Sequence, residues 1–178
     1  MKICVFGQTD KRAVIYTLLK LCQTMGDVCF ISYNTYYNRL INDVSTEEFF
    51  QNIAVFITDA SAEDAFAEIN HVPEDYDYII FDNKWDESAD VFFYVEGAGP
   101  EAYDSDLIEN LGEKLIKIKI GTGKGAIPYS VKMFTAIENT EYYKKFLPIN
   151  DKLSSDISKA LTSHLGMPTK NIQKVVMR

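Results

Sequence analysis

The feature that most constrains this chain is a set of short runs that are apolar on successive residues. The predicted strands Lys2-Ile-Cys-Val-Phe6, Val28-Cys-Phe-Ile-Ser32, Ile53-Ala-Val-Phe-Ile57, Tyr76-Asp-Tyr-Ile-Ile-Phe81 and Asp90-Val-Phe-Phe-Tyr-Val95 are built on such runs, too short for buried helices and not alternating with polar residues. Such runs are what strands covered on both faces require. Helical patterns separate them. Between the first two, Val14, Leu18, Leu21 and Met25 recur at helical spacing. Asp10 stands where an N-cap belongs and Gly26 where a C-terminal glycine belongs, which predicts a helix from about Lys11 to Met25. Further helices are predicted over 60–69, 101–112, 129–138 and 151–165. Additional strands are predicted at Leu115–Ile120 and Phe146–Ile149. Ser154 and Ser155 read as capping residues at the last helix start rather than as nucleophiles.

Strand–helix alternation implies a three-layer, doubly wound α/β fold with a mostly parallel sheet. The first strand should be central, flanked by those at 28–32 and 76–81. In such sheets the functional crevice lies at the carboxyl ends of the strands. The loops after Phe6, Ile31, Phe81, Val95 and Ile120 are therefore where function is sought.

The 178 residues suit one domain, and 47% apolar with 13% aromatic residues suffices for its core. No apolar run is long enough to span a membrane. The opening Met-Lys-Ile-Cys-Val-Phe-Gly turns polar too soon for a signal-peptide core. The three cysteines, Cys4, Cys22 and Cys29, have neither metal nor redox spacing, so the chain reads as cytoplasmic with reduced thiols. His71 and His164 stand far apart, and no metal site is expected. Charge is uneven. Residues 59–109 carry 16 acids and one base, Lys84, for a net of −15, whereas residues 110–178 carry 12 bases and 5 acids, for +7. The acidic middle argues against general nucleic-acid binding, and opposite faces would suit association of copies.

Two strand ends carry the strongest local signal. The first strand runs through Gly7 into a helix, as phosphate-binding loops begin. The strand Tyr76-Asp-Tyr-Ile-Ile-Phe81 closes on Asp82, where a magnesium-positioning carboxylate is placed in such enzymes. In the order and hydrophobic pattern of Lys2–Gly7, Val28–Ser32, Tyr76–Asp82 and Phe146–Leu153, the chain resembles the ParA/MinD group of deviant P-loop ATPases over nearly its whole length. The resemblance implies a P-loop NTPase-like domain over 1–178, protein partners and pairing of copies.

The catalytic motif departs from that family. Aligned without gaps, Gln8 replaces the signature lysine, Thr9 and Asp10 replace two glycines, and Arg12 replaces a third. Ala13 stands for the phosphate-gripping lysine and Val14 for the magnesium-binding hydroxyl. A gap brings Lys11 or Arg12 near the lysine position but leaves the loop too short to wrap a β-phosphate. Lost glycines and a nearby Asp10 both disfavour a bound anion.

The resulting expectation is a non-catalytic, ParA/MinD-like scaffold, positioning or assembly component, with no catalytic residues and no cofactor. It is expected to form a nucleotide-independent homo-oligomer with Tyr36, Tyr37 and Trp85 as contact residues. The alternative is an ATPase or switch with an unconventional loop, in which Gly7, Thr9, Lys11, Arg12, Asp82 and Lys124 hold ATP and magnesium. Lys124 belongs to Gly121-Thr-Gly-Lys-Gly125, which lacks the full phosphate-loop spacing. A receiver-like domain, prompted by Asp82, would need an acidic pair after the first strand, which Gly7-Gln8-Thr9 does not supply. The tail from Met167 to Arg178 interleaves Lys170, Lys174 and Arg178 with apolar residues but is short and lacks aromatics, so membrane contact is not expected.

Overall fold

A computed structural model describes residues 1–41, 49–97 and 105–165. The strands are β1 (Lys2–Phe6), β2 (Val28–Ser32), β3 (Phe49–Phe50), β4 (Ile53–Ile57), β5 (Tyr78–Asp82), β6 (Val91–Glu96) and β7 (Leu115–Lys119). The helices are α1 (Arg12–Cys22), α2 (Ala65–Glu68), α3 (Ser105–Asn110), α4 (Val131–Tyr143) and α5 (Asp151–Leu165). The strands form one sheet in the order β3-β4-β2-β5-β1-β6-β7. Every pairing is parallel except the edge pair β3–β4.

Alternation along each strand supplies the two cores. Ile3, Val5, Val28, Phe30, Val55, Ile80 and Phe93 face α1, α4 and α5. Cys4, Phe6, Cys29, Ile31, Phe56, Ile79, Phe81 and Phe92 face the layer that holds Ala65, Phe66 and Ile108. The central strands are thus apolar at every position because both faces are covered. Helix α1 has nine of its eleven residues buried. A helix so nearly apolar all round has to be a core helix. The architecture is the predicted three-layer, doubly wound α/β fold.

Several local expectations are corrected. β1 lies between β5 and β6, not beside β2, which pairs with the far side of β5. Sequence order does not dictate spatial order when the connections are long crossovers. Residues 60–69 hold only the one-turn α2, and 146–149 form no strand. There Phe146 and Ile149 insert into the core as single anchors, Phe146 edge-on to Phe50 at 4.8 Å. Ser154 lies within α5 rather than capping it; the Asn150 side chain accepts from Leu153 N at 3.0 Å instead. The predicted helix start at 101–104 and the tail 166–178 lie outside the described residues. No helix among the described residues is long and apolar enough to cross a membrane.

Candidate functional site: a strand–loop–helix unit closed on itself

Parallel pairing of β1 with β5 and of β5 with β2 brings Gly7, Asp82 and Ser32 to one edge of the sheet. Val5 is in register with Asp82, and Asp82 with Ser32. A first strand, a glycine, a short loop and a helix thus lie beside an Asp-ended strand, the layout in which a helix N-terminus can face an anion.

The conformation of Gly7 is fixed by space. Its φ is +139°, and a Cβ there would fall 2.3 Å from the Val95 carbonyl oxygen. The clash is with backbone of a neighbouring strand, which cannot swing away. Gly7→Ala is accordingly expected to cost about 2–3 kcal/mol from strain and strand displacement. A chemical denaturation midpoint indistinguishable from wild type would contradict that close approach.

Within the loop, the lysine points inward. Lys11 Nζ donates to the Gly7 carbonyl at 3.0 Å and lies 3.4 Å from Asp82 Oδ1. Lys11 is 8% exposed and Asp82 1%. Asp82 Oδ2 accepts from Ser32 Oγ at 2.8 Å, while Oδ1 takes no hydrogen bond and is compensated by the Lys11 ammonium charge. Burial pushes the Asp82 carboxyl above its ordinary range, and the Lys11 charge and Ser32 hydrogen bond only partly pull it back. Lys84, also buried, donates to the Ala60 carbonyl.

At the start of α1 the N-cap position is Lys11, with no side-chain cap, rather than the predicted Asp10, which lies one residue earlier and takes the backbone N–H of Arg12 alone. Asp10 Oδ1 accepts from Arg12 N at 3.0 Å and from Arg12 Nε at 3.0 Å. Its Oδ2 accepts from Arg12 Nη2 at 2.8 Å and from the Tyr129 hydroxyl at 3.0 Å. A carboxylate of the chain itself thus occupies the place that a helix N-terminus offers an anion. Burial alone would raise the Asp10 pKa, but the hydrogen bonds and charge of Arg12 outweigh it and hold the carboxyl below its ordinary value.

Arg12 then reaches across to α4. Its Nη1 meets Glu138 at 2.9 Å, Glu141 at 3.2 Å and the Tyr36 hydroxyl. Tyr16 donates to Glu141 at 2.7 Å. Two guanidiniums stand over the Tyr36 ring, Arg12 at 4.7 Å and Arg39 at 4.2 Å from its centroid. Sequence reading missed this network. Its one signal was Glu138 and Glu141, three apart and so on one helix face; nothing local linked them to Arg12.

Magnesium triphosphate does not fit these residues. Ala13 and Val14 are fully buried in α1, so neither offers a grip or a hydroxyl. Lys11 is turned to Asp82, and Asp10 places negative charge at the helix entry. Among the described residues no group of His, Cys, Asp and Glu could hold a metal ion.

The remaining candidates scatter. Thr9 is half-buried in the loop. Lys124 sits in the separate loop after β7. Trp85 is 36% exposed, its ring 4.9 Å from Phe92 and 5.8 Å from Phe6. It borders a groove of about 420 Å³ with Glu87, Asn110, Leu111 and Lys114. Tyr37, expected as a contact residue, is instead a core residue at 2% exposure, packed edge-on to Phe30 at 4.9 Å. The short helical turn Thr35–Arg39, capped by Asn34 accepting from Tyr36 N, rotates Tyr37 inward and leaves Tyr36 at the rim.

No protein-family model matches the chain, and no curated protein matches it. A solved structure to which it is similar is the crystal structure of FlhF complexed with GMPPNP/Mg(2+). The sequence identity is 15% and the TM-score 0.42, with 80% of this chain and 60% of that chain covered. The chain therefore spans about 60% of the length of that protein. The likeness is one of overall layout.

Proposed function

We propose that this chain is a non-catalytic, ParA/MinD-like protein that works in the cytoplasm as a scaffold, positioning or assembly component. It acts through protein–protein contacts, including contacts with a second copy of itself. The observation that carries this reading is the inward lysine: Lys11 is spent on Gly7 and Asp82, and the helix entry is filled by Asp10. A loop satisfied in this way keeps the fold without needing a nucleotide to complete it.

Surface chemistry supports contacts with protein. Val131, Phe134, Tyr142 and Tyr143 of α4 are exposed, as are Tyr33 and Trp85. Exposed acids, among them Glu63, Asp64, Glu68, Glu74, Asp75 and Glu87, crowd the α2 side of the sheet. Opposite charges elsewhere on the chain suit head-to-tail pairing, and apolar rings supply burial that salt does not screen.

A second reading, a nucleotide switch with an unconventional loop, rests on Asp82 Oδ1, which lacks a hydrogen bond in a buried position. It requires Lys11 to leave Asp82 when a phosphate arrives.

Sedimentation equilibrium at low and high salt, with and without Mg-ATP, separates the two readings. The scaffold reading predicts an oligomer, most simply a dimer, whose population is independent of nucleotide. A strict monomer at high protein concentration in both salts would reject self-association. Dimerisation only with Mg-ATP would favour the switch. Thermal unfolding gives the same discrimination. A ligand at 100 times its Kd stabilises by about 2.7 kcal/mol, roughly 5–10 °C for a chain of this size. No shift of that size is expected with Mg-ATP.

A further inference from the structure

The geometry points to an anion site elsewhere on this chain: the glycine loop after β7, with Lys119, Lys124 and Lys152, binds a phosphate-type oxyanion. The loop is Gly121-Thr122-Gly123-Lys124-Gly125. All three glycines have positive φ, at +130°, +116° and +82°, a run that side-chain-bearing residues would resist. The base of the loop is pinned: Gly121 N donates to the Ile127 carbonyl at 2.9 Å and Ile127 N to the Lys119 carbonyl at 2.8 Å. Inside the loop, Ala126 N donates to the Gly123 carbonyl at 3.3 Å. The N–H groups of residues 122–125 donate to no partner among the described residues. Exposed, unspent amides in a glycine turn are the kind of backbone donors that oxyanion-binding loops use.

Cationic side chains flank that turn from two other elements. Lys119, on β7, passes under it, its Cε 3.9 Å from where a Gly123 Cβ would stand. Lys152, in the first turn of α5, reaches to 3.4 Å from the Gly125 carbonyl. Lys124 is in the loop itself. Two carboxylates lie nearby: Glu96 is 3.7 Å from Lys119 Nζ and Asp156 is 3.9 Å from Lys152 Nζ. Both pairs are long and solvent-exposed, so they hold their lysines weakly and leave them available. Lys11, by contrast, is buried and committed to Asp82. The first loop is built like an anion site and is closed; this one departs from the phosphate-loop motif and is open.

The test is a titration of the ¹⁵N-labelled full chain followed by two-dimensional NMR, with inorganic pyrophosphate in one arm and ribose 5-phosphate in the other. The expected result is saturable movement of the amide signals of Thr122, Gly123, Lys124 and Gly125, in the millimolar range, with those of residues 8–13 unmoved. Pyrophosphate as the tighter ligand assigns a free oxyanion, and ribose 5-phosphate as the tighter assigns the phosphate of a small molecule. Lys124→Ala and Lys152→Ala are each expected to weaken binding about two- to fivefold, and Lys124→Arg to retain it. These side chains are exposed, so the variants fold. Absence of saturable movement, wild-type affinity in both Lys124→Ala and Lys152→Ala, or movement centred on residues 7–12 would each overturn the assignment.

Discussion

Lys11→Ala is expected to destabilise the fold by about 3–5 kcal/mol at neutral pH, because it leaves a buried carboxylate without its compensating charge. The reason is local: Asp82 is 1% exposed, and its Oδ1 has no hydrogen bond, so the ammonium at 3.4 Å is its main counterweight. The pH dependence has a defined sign. Burial holds the Asp82 carboxyl above its ordinary value of 3.8 in the folded chain. A carboxyl raised in this way binds more protons folded than unfolded between the two values, so stability falls as pH rises through that window. Removing Lys11 extends the window upward and deepens the loss at neutral pH. The gap between variant and wild type should therefore narrow on acidification, since a protonated Asp82 needs no partner. Denaturant melts of both proteins at about pH 7 and about pH 5 measure this, and a gap that stays constant would refute the pairing. Lys11→Met combined with Asp82→Asn should recover most of the loss. A lysine kept for phosphate would behave differently: its removal would cost binding and leave the melt unchanged.

Arg12→Ala is the second large effect, also about 3–4 kcal/mol. Arg12 joins the α1 entry to α4, and its loss strands Glu141, which is 5% exposed, with the hydroxyls of Tyr16 and Tyr36 and Arg39 at 3.9 Å. It also removes the group that holds Asp10 below its ordinary value. A carboxyl lowered on folding contributes stability that is full above 3.8 and is lost as pH falls through its folded value. The wild type should show this acid lability and the variant should lack much of it. Arg12→Lys should not restore stability, because an ammonium cannot span Asp10 and Glu138 with a planar fork. Full rescue by lysine in a thermal melt would show that charge alone matters there.

What the sequence made legible follows from where each signal is local. Successive apolar residues located β1, β2, β4, β5 and β6 within a residue or two, because burial on both faces leaves no other pattern. The start of α5 at Asp151 was read correctly. The position of β2 was missed because nothing within residues 28–32 says which strand they pair with; the crossover through β4 decides it. Tyr36 and Tyr37 are adjacent and chemically alike, and only the helical turn at 35–39 sends one to the rim and the other into the core. Val131 to Tyr143 ran five residues beyond the predicted helix end because Thr140 and Glu141, polar in sequence, are buried by hydrogen bonds to Ala136 and Tyr16. The degeneracy of the first loop was legible as missing glycines. That its own lysine and aspartate fill the vacated roles was not, since the partner of Lys11 lies 71 residues away, at Asp82.

The central claim, that the first loop is closed by its own side chains and holds no triphosphate, is tested most directly by isothermal titration calorimetry with Mg-ATP on the wild-type chain and on Lys11→Ala. The closed loop predicts no micromolar binding to the wild type and no difference between the two isotherms under conditions where both are folded. Micromolar binding by the wild type that Lys11→Ala abolishes would contradict it.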